Sequence, residues 1–297
     1  VADLQYNRID DGLYVDGIQG HDAIFGVRRV SGSVLDDQLF GPDDQKVIFS
    51  GGQGSDQVYF GEAGGIYQFW SESLLSDSSQ MLADVAHDQG ISVVVDDGSI
   101  YDLGATGIDP GFTDTWGHTD YVHNATGLHG TVFDDVIYFS NDGLNPVVTI
   151  SGAVNQSLEV AGHSGDDYFD ATDATSVAER VVTHRPKNTG TDGIQLSVVD
   201  DTSWSIVDEF GDTDTAVAFN AIKGSDFGDV FDFRAETLFG DSVELLYAQG
   251  KGGDDRFYAG DAASGATFAG GSGYDVLTID GPSKWNSAVT PVDDSFL

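Results

Sequence analysis

Short apolar runs recur along the chain, and each is bounded by glycine, aspartate or serine. Such runs predict β-strands, and the bounding residues predict tight turns between them. Two further stretches, 73–87 and 176–184, have apolar residues near helical spacing and predict a short helix or a loop laid across the strands. The pattern indicates an all-β protein with a few short helical or loop insertions. The predicted strands cover residues 46–50, 91–95, 136–139, 147–150, 196–199, 230–233, 243–247 and 276–279.

Glycine and aspartate recur in a fixed register. Two nine-residue stretches, 51–59 and 270–278, fit the pattern G-G-x-G-x-D-x-U-x, in which U is apolar. The glycines allow a tight backbone turn, and the aspartate points into it. Partial copies occur at 165–169 and 253–257, and a related form, G-[ST]-x-Φ-x-D-x-Φ, occurs at 32–39, 130–137 and 224–231. Seven copies in one register are hard to obtain from composition alone.

These turns offer the ligands that calcium prefers. Calcium takes about six to eight hard oxygen ligands, which carbonyls and aspartates supply, whereas softer metals favour the thiolate of cysteine, which is absent here. The turns resemble those of the RTX (haemolysin-type calcium-binding) family of secreted proteins. The resemblance implies a right-handed parallel β-helix or β-roll solenoid that binds Ca²⁺ between stacked turns. The candidate metal-binding residues are Asp37, Gly52, Gly54, Asp56, Asp135, Gly165, Asp167, Asp229, Gly253, Asp255, Gly271, Gly273 and Asp275.

A longer repeat contains these turns. An apolar-Asp-Asp signature occurs at 9–11, 95–97 and 199–201, and each copy precedes a G-[ST] turn. The first glycines of those turns are 98 and 94 residues apart. The spacing predicts one elongated solenoid domain of three repeats, about 1–94, 95–198 and 199–297, with the start of a truncated fourth copy at its end. Each coil of a solenoid buries its apolar face against its neighbours.

The charge narrows the choice of partners. The chain carries 50 Asp and Glu against 12 Lys and Arg, and only seven of the acids are Glu. A net charge of −38 makes binding to nucleic acid improbable, and the preference for Asp favours tight turns and calcium sites. The sequence has no run of 18 apolar residues, so no membrane span is predicted.

The two ends of the sequence carry weaker signals. The chain starts without Met or a signal-like apolar segment, which indicates a processed protein or a piece of a larger one. Residues 293–297 are similar to the acidic-then-apolar ends of RTX proteins exported by type I secretion. This similarity implies an extracellular or cell-surface location.

Between its apolar-Asp-Asp signature and its G-[ST] turn, repeat two is about ten residues longer than the other repeats, and this longer stretch, which we call the insertion, contains 107–123. Loops that depart from a repeat scaffold often carry binding residues. The insertion fits a surface loop packed on the strands, a carbohydrate-stacking surface, or a catalytic or second metal site. The candidate ligand-binding residues are Trp116, His118, Tyr121, His123 and His129.

A second group is basic and lies near the predicted helix at 176–184. Arg180, Arg185 and Lys187 beside His184 fit either an anionic polysaccharide site or local charge pairing at a helix end. By contrast, Asp212 and Asp214 are assigned to an ordinary polar loop.

The leading functional hypothesis is a secreted, calcium-binding structural, surface-layer or glycan-binding protein. Its expected partners are an extracellular glycan or further copies of itself joined through calcium. The alternative is a carbohydrate-active β-helix enzyme, of lyase or epimerase type, acting on a uronate polymer. The histidines lack the HExxH spacing, and no nucleophile, phosphate-loop or dinucleotide motif occurs, so the patterns favour metal binding over turnover.

Overall fold

The structure of the chain is a computed structural model, and its described residues are almost all in strands and turns, with many strands paired in parallel. The predicted all-β class is confirmed at this level. The chain divides into a compact N-terminal part, Val1–Val132 with Val136–Ser151, and a compact C-terminal part, Phe133–Asp135 with Gly152–Leu297. The described residues are 2–3, 8–9, 14–15, 18–19, 22–23, 26–33, 35–69, 91–96, 99–102, 111–114, 117–131, 133–140, 157–174, 177–184, 192–200, 202–234, 245–260, 263 and 266–280.

The strands of the N-terminal part are β1 (Ala2–Asp3), β2 (Arg8–Ile9), β3 (Tyr14–Val15), β4 (Ile18–Gln19), β5 (Asp22–Ala23), β6 (Arg29–Ser31), β7 (Gln38–Phe40), β8 (Val47–Ser50), β9 (Gln57–Tyr59), β10 (Gly65–Gln68), β11 (Ser92–Asp96), β12 (Ser99–Asp102), β13 (Phe112–Thr113), β14 (Thr119–His123), β15 (Ala125–His129) and β16 (Val136–Ser140). One set runs parallel in the order β6-β8-β10-β15, and a second in the order β1-β7-β9-β14. Antiparallel neighbours join the second set, with β2 beside β1 and β13 beside β14. In a third set, β11 pairs in parallel with β16 and forms a hairpin with β12.

The strands of the C-terminal part are β17 (Ser157–Ala161), β18 (Tyr168–Asp173), β19 (Glu179–Thr183), β20 (Gln195–Val198), β21 (Ser203–Val207), β22 (Thr213–Val217), β23 (Ala221–Lys223), β24 (Val230–Phe233), β25 (Tyr247–Gly252), β26 (Arg256–Ala259), β27 (Thr267–Ser272) and β28 (Val276–Ile279). The order β17-β19-β23-β25-β27 is parallel and follows the chain. A second set begins with the parallel pair β18-β22, continues through the antiparallel meander β22-β21-β20, and ends with the parallel run β20-β24-β26-β28.

Side chains at the same register position of successive strands stack to form the core. In β24 and β26, Phe231 pairs with Phe257, and their rings stack with centroids 4.9 Å apart. Phe268 of β27 meets Phe257 edge-on at 5.7 Å. Burial alternates along these strands, so one face of each strand supplies the apolar interior and the other faces outward.

The short helix or loop predicted at 176–184 is wrong where the structure describes that segment, because a strand lies there. Residues 179–183 form β19, which lies between β17 and β23 in a parallel sheet. Three of its residues, Val181, Val182 and Thr183, are consecutive and buried, as expected of a strand covered on both faces. Pairing with two neighbours therefore overrides the apparent helical spacing. The predictions at 73–87 and 147–150 lie outside the described residues.

The apolar-Asp-Asp signature marks a β-hairpin. At 199–201 it connects β20 to the antiparallel β21, and the backbone N–H groups of Thr202 and Ser203 both donate to Asp200 Oδ1 at 2.9 Å. An aspartate that binds the backbone two or three residues ahead is typical of a tight turn.

The strand predicted at 243–247 differs from the strand in the structure, because β25 begins at Tyr247.

The core stack predicts a sharp contrast between two adjacent aromatic residues of β26. Phe257→Ala should lower the free energy of unfolding by about 3–5 kcal/mol, because it removes a fully buried ring from the stack. Tyr258→Ala should cost about 1 kcal/mol, since Tyr258 faces outward beneath the Arg234 guanidinium, 4.5 Å from the ring centroid. Urea unfolding of the two variants checks this, and equal losses would contradict the assigned faces.

Candidate metal-binding turns

Five of the glycine–aspartate turns fold the aspartate carboxyl back onto a glycine five residues earlier. The glycine is required because a Cβ at its position would stand much closer to the carboxylate oxygen than any real contact allows. Two of these glycines, Gly162 and Gly250, lie outside the partial copies found in the sequence. The distances from the Cβ position to the aspartate Oδ2 are 2.2 Å for Gly51–Asp56, 1.6 Å for Gly162–Asp167, 1.9 Å for Gly224–Asp229, 1.8 Å for Gly250–Asp255 and 2.1 Å for Gly270–Asp275.

The second and fourth positions of four turns adopt positive φ angles, which glycine tolerates best. We call these four turns, 51–56, 162–167, 250–255 and 270–275, the nonapeptide-type turns. The six glycines proposed as metal-binding residues all have this conformation: Gly52, Gly54, Gly165, Gly253, Gly271 and Gly273. At the second position of turns 162–167 and 250–255, His163 and Lys251 adopt a positive φ instead, of 89° and 74°.

The turn aspartates form a ladder. The backbone N–H of Asp229 donates to Asp255 Oδ1 at 2.8 Å, and that of Asp255 donates to Asp275 Oδ1 at 3.0 Å. The same bond joins Asp37 to Asp56 at 2.7 Å and Asp135 to Asp167 at 2.8 Å. The preceding residue bonds in the opposite direction, because the N–H of Tyr274 donates to Asp254 Oδ1 at 2.8 Å. An Asp-Asp pair therefore links a turn to the next turn through both residues.

The carboxylates differ in how their second oxygen is satisfied. In turn 32–37, the backbone and hydroxyl of Ser33 donate to Asp37 Oδ2 at 2.5 and 2.8 Å, and in turn 224–229 Ser225 bonds both oxygens of Asp229. The nonapeptide-type turns have no serine at this position. Their Oδ2 atoms are buried and have no hydrogen-bond partner among the described residues: Asp56, Asp167, Asp255 and Asp275.

Burial makes three of these carboxyls hard to ionise, those of Asp56, Asp167 and Asp255. It raises the pKa of Asp56 to about 6 and the pKa of Asp255 to about 8. Burial, together with the nearby charges of Asp135 and Asp214, raises the pKa of Asp167 to about 11. A dehydrated carboxyl in such a row requires either a proton or a cation.

The donor set of the turns fits a hard cation. The Cβ position of Gly250 lies 1.8 Å from Asp255 Oδ2 and 2.7 Å from the carbonyl oxygen of Gly270, so carboxylate and carbonyl oxygens face the same side of the turn. In the part of the chain that the structure describes, no three His, Asp or Glu side chains group as a metal-ligand set. An ion here would therefore be bound mainly by backbone carbonyls with one or two carboxylates, as calcium accepts.

Two further members of the ladder, Asp120 and Asp214, lie outside the glycine–aspartate motifs of the sequence. The N–H of Asp56 donates to Asp120 Oδ1 at 2.9 Å, and that of Asp167 donates to Asp214 Oδ1 at 3.1 Å. The assignment of Asp214 to an ordinary polar loop is therefore corrected: Asp214 is fully buried, and Asp212 Oδ2 accepts the N–H of Gly165 at 2.9 Å.

Asp120 and Asp214 each end a short hairpin turn, which we call the first cap (114–120) and the second cap (208–214). In both, an N–H four residues on donates to the first aspartate, from His118 to Asp114 at 2.6 Å and from Asp212 to Asp208 at 2.9 Å. The signal in the sequence was the shared pattern D-x-[FW]-G-[DH]-T-D, with 94 residues between its copies. That spacing equals the distance from the second to the third G-[ST] turn.

The proposed ligand-binding residues occupy separate positions. His118 Nδ1 accepts the N–H of Gly54 at 3.3 Å, and His129 is fully buried in β15. Tyr121 and His123 lie on the outward face of β14, where the His123 ring stacks on Tyr59 at 4.9 Å. A ring face covered in this way is not available to a sugar. Trp116 lies outside the described residues.

The predicted basic group is also internal where it is described. The Arg180 guanidinium donates to the carbonyls of Ala174 and Val177 at 3.3 and 3.2 Å. His184 is buried, with Nδ1 3.4 Å from Glu209 Oε2. Burial opposes its charged form, but Glu209 and the neighbouring aspartates outweigh that effect and raise the pKa of the imidazole. Arg185 and Lys187 lie outside the described residues.

No protein-family model matches the chain, and no curated protein matches it. Among the described residues, no helix is long and apolar enough to cross a membrane.

Two glycines of β25 provide a matched test of the turn geometry. Gly250→Ala should lower the free energy of unfolding by about 2–3 kcal/mol, because the new methyl group meets the Asp255 carboxylate. Gly252→Ala should change it by less than about 1 kcal/mol, since its Cβ would approach only the movable Ser272 hydroxyl, at 3.2 Å. Denaturant unfolding with chelator present measures both, and equal effects would contradict the role of the carboxylate.

The buried carboxyls predict an unusual pH dependence without metal. Burial raises the pKa of Asp120 to about 8, although the Tyr67 hydroxyl donates to its Oδ2 at 2.6 Å. The folded pKa lies above the unfolded value of 3.8, so the proton stabilises the fold at low pH and its contribution is lost as pH rises through about 8. In chelator, stability should therefore fall between the two pKa values, from about pH 4 to about pH 8.

The Asp120→Asn variant should show a shallower fall over this range, because asparagine cannot ionise. Asp200→Asn serves as the control, since backbone hydrogen bonds lower the pKa of the exposed Asp200 and it stays ionised throughout. Melting curves at several pH values compare the slopes. An Asp120→Asn slope equal to the wild-type slope would show that this carboxyl is already ionised in the fold.

Proposed function

We propose that the chain is a calcium-binding β-solenoid that acts as an extracellular structural or surface protein. The observation that carries the proposal is the set of four buried Oδ2 atoms, those of Asp56, Asp167, Asp255 and Asp275, without hydrogen-bond partners among the described residues. They occur in the turns that match the nonapeptide pattern. The turns with serine, 32–37 and 224–229, satisfy their carboxylates internally. Calcium at the nonapeptide-type turns would supply the missing interaction.

The strand order supports a solenoid within each part. Parallel strands follow one another in chain order, from β6 to β15 in one part and from β17 to β27 in the other. The glycine–aspartate turns recur beside them and bond each turn to the next. Such stacking makes each turn depend on its neighbours, as in other repeat proteins.

The charge of the chain explains why calcium would matter for folding. A net charge of −38 and stacked buried aspartates repel one another in the absence of cations. An ion that binds only the folded state stabilises it by about 2.7 kcal/mol per site at a hundredfold excess over Kd. Calcium would thus couple folding to an environment rich in this ion, which supports a location outside the cell and agrees with the resemblance to secreted RTX proteins.

The choice between a structural and a glycan-binding role depends on the outward faces. Phe40, Tyr59 and His123 form a continuous outward stack, with ring centroids 5.2 and 4.9 Å apart. Stacking covers the ring faces that a sugar would need, which favours a structural or self-associating role. The described histidines of the insertion hold structural positions, so no observation favours the uronate-polymer enzyme.

The proposal is tested by comparing two aspartates from different turn types. Calcium at 10 mM should raise the melting temperature above its value in EDTA. Asp255→Asn keeps the Oδ1 acceptor for the ladder but removes the charge, and should lower the number of bound calcium ions. Asp37→Asn should leave that number unchanged, because Ser33 already satisfies the Asp37 carboxylate. Identical melting in EDTA and calcium would refute the proposal.

A further inference from the structure

The second cap bonds to turn 162–167 as one nonapeptide-type turn bonds to another. Thr213 and Asp214 occupy the place that Tyr274 and Asp275 occupy above turn 250–255. Three hydrogen bonds correspond, and the donor of each is a backbone N–H. At the second cap they run from Asp167 N to Asp214 Oδ1 at 3.1 Å, from Thr213 N to Asp166 Oδ1 at 2.7 Å and from Thr215 N to Asp167 O at 2.8 Å. Between turns 250–255 and 270–275 they run from Asp255 N to Asp275 Oδ1 at 3.0 Å, from Tyr274 N to Asp254 Oδ1 at 2.8 Å and from Val276 N to Asp255 O at 2.8 Å.

Buried negative charge is concentrated at this junction. Asp167, Asp208 and Asp214 are each at most 2% exposed, and each has an Oδ2 atom without a hydrogen-bond partner in the described part of the chain. Glu209, 5% exposed, adds a fourth carboxyl. Burial raises the pKa of Asp167, Asp208 and Asp214, and the charges of neighbouring carboxylates add to this rise. His184 lies against Glu209 and contributes at most one positive charge.

The first cap has the same hydrogen bond to the aspartate of its turn, but its own aspartate carboxyl also has a side-chain hydrogen-bond donor. Tyr67 donates its hydroxyl proton to Asp120 Oδ2 at 2.6 Å, and this interaction partly offsets the burial of that carboxyl. The sequence also removes two acids there, because Thr115 and His118 stand where the second cap has Glu209 and Asp212. His118 Nδ1 accepts the N–H of Gly54 in turn 51–56, as Asp212 accepts that of Gly165. The first cap thus satisfies its aspartate with a tyrosine hydroxyl, and no described residue does so in the second cap.

We propose that the junction between turn 162–167 and the second cap binds a divalent cation of the calcium type. Asp167 and Asp214 would provide carboxylate ligands, Asp208 would add charge from the hairpin, and backbone carbonyls would complete the oxygen shell. The inference rests on the proposed calcium binding of the turns. It specifies the site at turn 162–167, where a hairpin replaces one nonapeptide, so half of the ligand set has no glycine-rich signature.

Calcium binding to the intact chain tests this site, measured by isothermal titration and by equilibrium dialysis with calcium alone. Asp214→Asn keeps the Oδ1 acceptor for the Asp167 N–H while removing the charge, and should reduce the number of bound ions by one. Asp200→Asn makes the same change at an exposed hairpin aspartate outside the ladder and should leave the number unchanged. Circular dichroism establishes that each variant remains folded.

The outcomes separate this inference from the proposed function. If Asp214→Asn binds as many ions as the wild type and Asp255→Asn binds fewer, the cap site is overturned and calcium binding by the turns stands. If neither variant loses an ion and calcium does not stabilise the chain, both ideas fail. Should Asp214→Asn not fold, Asp208→Asn replaces it, because it keeps the Oδ1 acceptor for the hairpin N–H groups. An unchanged number of ions bound with unchanged affinity in that variant would likewise overturn the cap site.

Discussion

A buried aspartate carboxyl holds together five of the glycine–aspartate turns, those that end at Asp56, Asp167, Asp229, Asp255 and Asp275. The carboxyl occupies the space that a side chain on the first turn residue would need, so that residue is glycine. One oxygen accepts the backbone N–H of the aspartate below and thereby fixes the register of the adjacent parallel strands. The other oxygen must find a serine, a proton or a cation, because a buried unpaired charge is strongly unfavourable.

The chain uses different partners for that second oxygen at different places. Serine satisfies Asp37 and Asp229, and a tyrosine hydroxyl satisfies Asp120. The nonapeptide-type turns and the second cap have no such donor, and their carboxyls have raised pKa values where a shift is resolved. Protons and calcium would therefore compete for the same oxygens. A protein stabilised in this way would respond to both the acidity and the calcium content of its surroundings.

Sequence alone predicted the all-β class, six of the strands and the glycine–aspartate turns, because the residues that each turn requires lie close together in the chain. It did not reveal Asp120 and Asp214, since their role depends on contacts 64 and 47 residues away along the chain. It also predicted a short helix or a loop at 176–184, because the apolar residues of β19 mimic helical spacing when the flanking strands are unknown. The insertion of repeat two looked like a binding loop, but its Asp120 and His118 serve to close a stack of turns.

We propose that cations neutralise the buried carboxylates of the nonapeptide-type turns. A crystal structure grown in calcium, with anomalous difference maps recorded at a long wavelength, would locate such ions. We expect anomalous peaks within calcium–oxygen bonding distance, about 2.3–2.6 Å, of Oδ2 of Asp56, Asp167, Asp255 and Asp275, and none beside Asp37 or Asp229. Well-ordered turns without any anomalous peak would contradict it and would show that protons alone neutralise the aspartate ladder.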